Sequence, residues 1–242
     1  MNRQRSLVAL GLISLVALAI LVGLGIWQLH RLAWKEALIA EVSARANAPP
    51  VSAPDEAEWP GLRPEDYEYR HVRVTGSFDP ALRALVFRAL EKPRGKYGGQ
   101  GFLAMVPLHL TNGASIIVNR GFVPTDRKAQ AEAVPTGESE IVGLMRASEP
   151  RNLFTPADNP ATGEWYTRDP EGIAAALGVA RAAPFTIDAD AGADPNALPE
   201  GGETVLAFPN NHFEYALTWF GMAIALVGVF AAYAASVLRK AD

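Results

Sequence analysis

Two uncharged runs of 24 residues bracket this chain, Ser6 to Leu29 and Tyr215 to Leu238, and neither contains Asp, Glu, Lys or Arg. At about 1.5 Å per residue each would reach roughly 36 Å as a helix, somewhat more than the ~30 Å hydrocarbon core of a bilayer. Both therefore read as tilted transmembrane helices. The apolar core of the first run exceeds the roughly 7 to 15 residues of a signal peptide. Arg31, Lys35 and Glu36 also intervene before any plausible cleavage site, so the run is read as a retained anchor.

Charge lies between the runs. His30 to Glu214 carries 18 of the 22 Lys plus Arg and 25 of the 26 Asp plus Glu, a net −7. That acidity argues against a nucleic-acid partner. The 20% charged content is too high for a polytopic transporter. The absence of cysteine excludes disulfides, thiolate metal sites, CxxC redox chemistry, covalent c-type haem and a Cys nucleophile.

Arg239 and Lys240 flank the far end of the second run, whereas Asp190 to Glu214 contains no Lys or Arg. The positive-inside rule then puts the C-terminus in the cytoplasm. An even number of spans puts Arg3 and Arg5 there too. Arg31, Lys35 and Arg45 oppose that bias, which hints that a cation kept there has work to do. The expected fold class is a membrane protein with two transmembrane helices flanking a predominantly antiparallel β (α+β) extracytoplasmic domain. Its divisions are a cytoplasmic N-terminus (1–5), transmembrane helix 1 (6–29), a helical extension and linker (30–64) and a β-rich domain (65–208). Transmembrane helix 2 with its outer boundary motif (209–238) and a cytoplasmic C-terminus (239–242) complete the chain.

Leu32, Leu38, Ile39 and Val42 recur among charges, which continues the first helix to about Ala48, where Pro49 and Pro50 stop it. Val51 to Pro64 reads as a linker. Strand signals follow at Val72–Phe78, Ala84–Leu90, Phe102–Leu110, Ser115–Val123, Ile141–Arg146, Trp165–Thr167, Phe185–Asp188 and Thr204–Phe208. Thr111-Asn112-Gly113-Ala114 marks a hairpin, and Pro170 to Leu177, closed by Gly178, marks a helix.

Functional residue types gather at the outer ends of the two spans. In a helix starting near Asn211, His212, Tyr215, Ala216 and Trp219 share one face, with Ala216 a small gap. Trp27, His30, Arg31 and Trp34 form a matching stripe on the first span, with Gln28 and Lys35 alongside. An interfacial histidine is a functional candidate, and a neutral imidazole suits haem iron, with Arg31 and Lys35 placed for propionates. The plain alternative is an interfacial aromatic belt with snorkelling cations. Gly221, Ala225, Gly228, Ala232 and Ala235 form a small-residue stripe suited to close helix packing, either with Ala19 and Gly23 of the first span or with another membrane protein.

Other signals are weaker. Gly95 to Gly101 has the composition of a phosphate loop without its spacing, and reads as a flexible hairpin loop. His71 and His109 show no nearby Ser and carboxylate in sequence and read as packed or surface histidines. Arg120 reads as a structural ion-pair residue. No HExxH or other metal spacing occurs. A membrane-anchored hydrolase is the remaining alternative, resting on His71 or His109.

The chain resembles the surfeit-locus-one (Shy-one) family of cytochrome c oxidase assembly factors. The matching pieces are Gly25-Ile26-Trp27-Gln28 with Arg31 and Lys35, then Val118-Asn119-Arg120-Gly121-Phe122-Val123-Pro124, then Asn210-Asn211-His212, Tyr215-Ala216 and Thr218-Trp219-Phe220. Phe122 stands where the family is expected to carry Trp, so an aromatic is kept. The resemblance implies a non-enzymatic role in maturing the core oxidase subunit, by receiving non-covalent haem a and presenting it for insertion. It implies His212 as the ligand to haem iron, and His30 is eligible as a second ligand by its depth. Tyr215 and Trp219 would flank the ring, Ala216 would leave room, and Arg31 would neutralise propionates. Trp27, Gln28 and Lys35 complete the expected site. The implied partners are the oxidase core subunit, the haem a biosynthesis enzyme and the lipid bilayer. A cofactor-free scaffold for an oxidase assembly intermediate is the alternative. The missing Arg- and Ser-rich presequence points to a bacterial cytoplasmic membrane, with the main domain periplasmic, rather than the mitochondrial inner membrane.

Overall fold

The computed structural model describes residues 3–206 and 208–239. Ala207, within the expected strand Thr204–Phe208, and parts of both expected cytoplasmic termini including Lys240 lie outside the described residues. The chain divides into two compact units, residues 1–41 with 207–242, and residues 42–206.

The first unit is a helix pair. Helix α1 runs from Arg3 to Ala46 over 44 residues, about 66 Å at helical rise. The other helix, α4, runs from His212 to Arg239. Both are long and apolar enough to cross a membrane. They pack antiparallel, since Gln28 meets His212, Gly25 meets Phe220 and Gly11 meets Phe230. Gly25 is what permits the approach: a Cβ there would fall 2.6 Å from the Phe220 ring. Ala216 and Ala223 are the buried positions of α4, at 1% and 5% exposure.

That packing corrects the small-residue reading. Gly23, Gly221 and Gly228 have no neighbour within 4 Å of an added Cβ. Gly221 and Ala225 are roughly opposite Ala216 around the helix. The stripe therefore faces away from α1, and the pair is formed by Gly25 accepting a large ring.

The second unit is the β domain. Its strands are β1 (Val51–Ser52), β2 (His71–Phe78), β3 (Ala84–Leu90), β4 (Gly99–His109), β5 (Ser115–Pro124), β6 (Glu138–Arg146), β7 (Glu164–Trp165) and β8 (Ala182–Ala189). Two short helices accompany them, α2 (Pro64–Tyr67) and α3 (Pro170–Ala176). The sheet order is β1-β2-β6-β8-β5-β4-β3-β7, and an added β2–β4 pairing closes five of the strands on themselves. Most pairings are antiparallel, as expected, but β1–β2, β3–β7 and β5–β8 are parallel. Val72, Phe78, Val106, Ile116, Phe185 and Ile187 form the main core, where Phe185 meets Trp59 edge-on at 6.1 Å. A second core, with Val86, Phe122, Trp165 and Ile173, seats α3. Asp169 caps α3 by accepting the Gly172 N–H.

Two segments differ from the sequence reading. Val51 to Gly61, expected as part of a linker, carries β1 and a 3-10 turn whose Trp59 is buried and donates its indole N–H to the Pro54 carbonyl at 3.0 Å. Thr204 to Leu206, expected as strand, enters no ladder; side chains hold this strap instead, as described below.

Candidate functional site

At the outer end of the helix pair, His212 Nδ1 lies 2.7 Å from Gln28 Oε1. With the amide oriented as assigned, its oxygen can only accept, so Nδ1 carries the proton and Nε2 keeps a lone pair. Among the described residues nothing is hydrogen-bonded to that Nε2. Gln28 is only 8% exposed, and an amide at that depth fixes both the tautomer and the ring orientation. Asn210, two residues before His212, adds a buried amide oxygen with no hydrogen-bond partner.

The remaining expected residues fall on two sides. Lys35 is seven residues beyond Gln28, on nearly the same face, and its ammonium lies 5.6 Å from the Phe208 ring centroid. Arg31 stacks on Trp34 at 4.3 Å and forms no ion pair among the described residues. Trp219 is half-buried. Trp27 and Tyr215, by contrast, are 52% and 55% exposed. Ala216 is closed off, so it is not an open gap.

The expected stripe Trp27, His30, Arg31 and Trp34 is therefore not the face that meets α4. Gly25 and Gln28 mark that face. Trp27, His30 and Trp34 are turned roughly 130° to 170° from its centre, because each residue advances about 100° around the helix. His30 is exposed and does not share the His212 environment. It is not placed as a second ligand beside His212.

The β domain holds a polar cluster that sequence reasoning missed. Asp188, 4% exposed, accepts from Asn119 at 3.0 Å, Arg146 at 3.0 Å and Thr204 at 2.6 Å, with Arg168 at 3.5 Å. Arg146 also binds Glu68 at 2.8 Å. Glu149 takes a forked contact from Arg88 at 2.8 and 3.0 Å and the Arg168 backbone N–H at 3.1 Å. Burial pushes both carboxyls up, but the guanidiniums of Arg168 with Arg146, and of Arg168 with Arg88, hold Asp188 and Glu149 below their ordinary values. A cavity of about 450 Å³ adjoins this cluster. Arg168 Nε and Nη1 are buried there without a partner. No sequence spacing announces the cluster, since its members come from seven separate segments.

The glycine-rich loop is the connection of the antiparallel β3–β4 hairpin, as expected, and it is anchored rather than loose. The Arg94 and Gly95 N–H groups donate to Glu203 at 2.9 and 2.5 Å, and those of Lys96 and Tyr97 to Glu200 at 2.7 and 2.9 Å. Its amides do cradle anions, and the anions are the chain's own carboxylates. They pin the strap that Thr204 ties to Asp188. Gly121 belongs to the same joint: Phe122 exchanges both backbone hydrogen bonds with Glu200, and a Cβ on Gly121, at φ +132°, would fall 2.2 Å from the Glu200 carbonyl carbon.

Two single-residue expectations change, and a third, His71 as a packed histidine, stands. His109 does meet a serine and a carboxylate, Ser115 Oγ at 2.9 Å and Asp79 at 3.8 Å, across a hairpin register that sequence separation conceals. Ser115 is 1% exposed, which leaves no approach for a substrate. Arg120 forms no ion pair among the described residues; it donates to the Ala133 carbonyl at 2.7 Å and lies over Phe78. His71 bridges the Ala48 carbonyl and Asp190, at 2.9 and 2.8 Å.

Fold and site together define a protein with two helices long and apolar enough to cross a membrane, a β domain between them in the chain, and a tautomer-fixed histidine at the end of the helix pair. The SURF1 family model matches residues 15–224. Surfeit locus protein 1 of Homo sapiens is 35% identical over 221 residues, covering 84% of this chain and 70% of that protein. The Mus musculus protein of the same name is 34% identical over 216 residues, covering 84% and 68%. A SURF1-like protein of Drosophila melanogaster is 33% identical over 242 residues, covering 92% and 76%. The chain belongs to the SURF1 family, known as cytochrome c oxidase assembly factors.

Proposed function

We propose that this protein assists assembly of a haem-copper cytochrome c oxidase by carrying haem a, non-covalently, to the core subunit. The observation that carries the reading is the 2.7 Å contact from His212 Nδ1 to Gln28 Oε1, which leaves Nε2 as the ligating atom. The donor set fits the cargo: a neutral imidazole takes haem iron, and Arg31 and Lys35, which form no ion pair among the described residues, suit propionates. The iron supplies the coordination bond that holds the cargo. Gln28 keeps the ring in place whether the cargo is present or gone, which suits a carrier that must bind and release. The haem a biosynthesis enzyme is the natural donor in this scheme. The absence of Lys and Arg from Asp190 to Glu214 and the cation at Arg239 support an orientation with both termini cytoplasmic.

A second reading, a cofactor-free scaffold for an oxidase assembly intermediate, draws on the small-residue face of α4 that α1 leaves open. One preparation separates the two. The protein purified from cells that make haem a carries a Soret band if it is a carrier. Under the scaffold reading it carries none, and Gly221→Leu or Gly228→Leu abolishes co-purification of the core subunit.

A further inference from the structure

The loop between β6 and β7 ends in two large apolar side chains with almost no protein around them: Leu153 is 99% exposed and Phe154 is 93% exposed. The loop is nevertheless tied together. Arg151 contacts Asp158 and the Pro156 carbonyl, and reaches Thr167 Oγ1 at 3.2 Å. Asp158 accepts the Tyr166 N–H at 2.8 Å. At the tip, the Asn152 N–H donates to Thr155 Oγ1 at 3.0 Å, the Phe154 N–H to Asn152 Oδ1 at 2.8 Å, and the Thr155 N–H to the Asn152 carbonyl at 3.1 Å. Pro156 has no N–H to satisfy. From Asn152 to Ala157 there is no charged residue, and Arg151 at the base is matched by Asp158.

We propose that this tip is a lipid contact: Leu153 and Phe154 enter the interfacial layer of the bilayer that the helix pair spans. Two features favour lipid over a protein groove. Backbone amides entering an apolar phase must be satisfied locally, and three of the four from Asn152 to Thr155 are, the exception being that of Leu153. Two side chains supply a few hundred Å² at most, well short of the roughly 1,200 to 2,000 Å² of a stable protein interface. A weak apolar contact suffices at a membrane, because the domain's two ends, Val42 and Leu206, adjoin the helices and tethering raises the effective concentration. The contact is independent of haem binding, and it dictates which loop of the β domain meets the bilayer.

The chain has no cysteine, so one engineered cysteine carries a spin label without background. Phe154→Cys and, separately, Leu153→Cys are labelled in the full chain and reconstituted in phosphatidylcholine nanodiscs. Collision rates with oxygen, which partitions into lipid, and with a water-soluble nickel chelate are then measured. Gln130→Cys, on an exposed turn, is the aqueous reference. At 153 and 154 oxygen collisions exceed nickel collisions, and at 130 the order is reversed. Replacing the neighbouring apolar residue, as in Leu153→Ser with the label at 154, moves the ratio toward the aqueous reference. Nickel access at both positions equal to that at 130 overturns the proposal. So does protection that appears only after the oxidase core subunit is added, which identifies a protein contact instead.

Discussion

The helix pair and the β domain each bury polar side chains, and they use them in opposite ways. In the β domain Asp188 is surrounded by Asn119, Arg146, Arg168 and Thr204. Its two oxygens take three hydrogen bonds and the Arg168 contact, and the cluster joins β5, β6, β8 and the strap. At the end of the helix pair His212 makes, among the described residues, one side-chain hydrogen bond, and its other nitrogen has none. A carboxylate held by several donors from separate segments fixes a fold, whereas an imidazole bonded at one nitrogen retains chemistry.

The sharpest way to break this contrast is Asp188→Ala, which leaves Arg146 and Arg168 buried without their shared carboxylate. Loss of one partner from such a cluster costs about 3 to 5 kcal/mol. Denaturant unfolding followed by the fluorescence of buried Trp59 and Trp165 measures it. A change no larger than that of a surface substitution would show that the cluster is not structural. Gln28→Leu probes the other region: haem a affinity falls about 10- to 100-fold while β-domain unfolding is unchanged. Equal affinity in a spectroscopic titration would remove Gln28 from the site.

Acid distinguishes the regions further. Asp188 and Glu149 have folded-state values below their ordinary 3.8 and 4.5. The stability they confer is complete above those values and is lost as pH falls through the lower folded-state values. Each contributes a slope of at most about 1.4 kcal/mol per pH unit. β-domain stability is therefore steady with respect to these two groups at neutral pH and declines below about 4. A decline attributable to them already near pH 6 contradicts the ion pairs described. The smallest effect belongs to His30→Ala, which changes stability by less than about 0.5 kcal/mol and leaves the haem spectrum as it was. A shifted spectrum would restore His30 as a ligand.

What the sequence made legible was local. An uncharged run announces a span, Asn112-Gly113 announces the β4–β5 hairpin, and Pro170 with Gly178 brackets α3. The parallel pairs β1–β2, β3–β7 and β5–β8 join segments far apart, and no period in the chain encodes them. Asp188 looked like the polar end of a strand, and only the closed sheet brings Arg146, Arg168 and Thr204 to it. Within the helix pair, helical periodicity singled out His212, with Gln28 and Lys35 alongside the tryptophan stripe, yet it put the packing surface of the first span on Ala19 and Gly23. The face was set instead by where a bare backbone, Gly25, admits Phe220, a steric fit that small-residue spacing on α4 does not reveal.

The central claim is that His212 Nε2 holds the iron of haem a. Wild-type protein and His212→Ala, each purified from cells that make haem a and normalised for protein, are compared by absorption spectrum. The account predicts a Soret band in the wild type that is lost or strongly reduced and shifted in His212→Ala, with the β domain equally folded in both. An equal haem content with an unchanged Soret band in His212→Ala would contradict it.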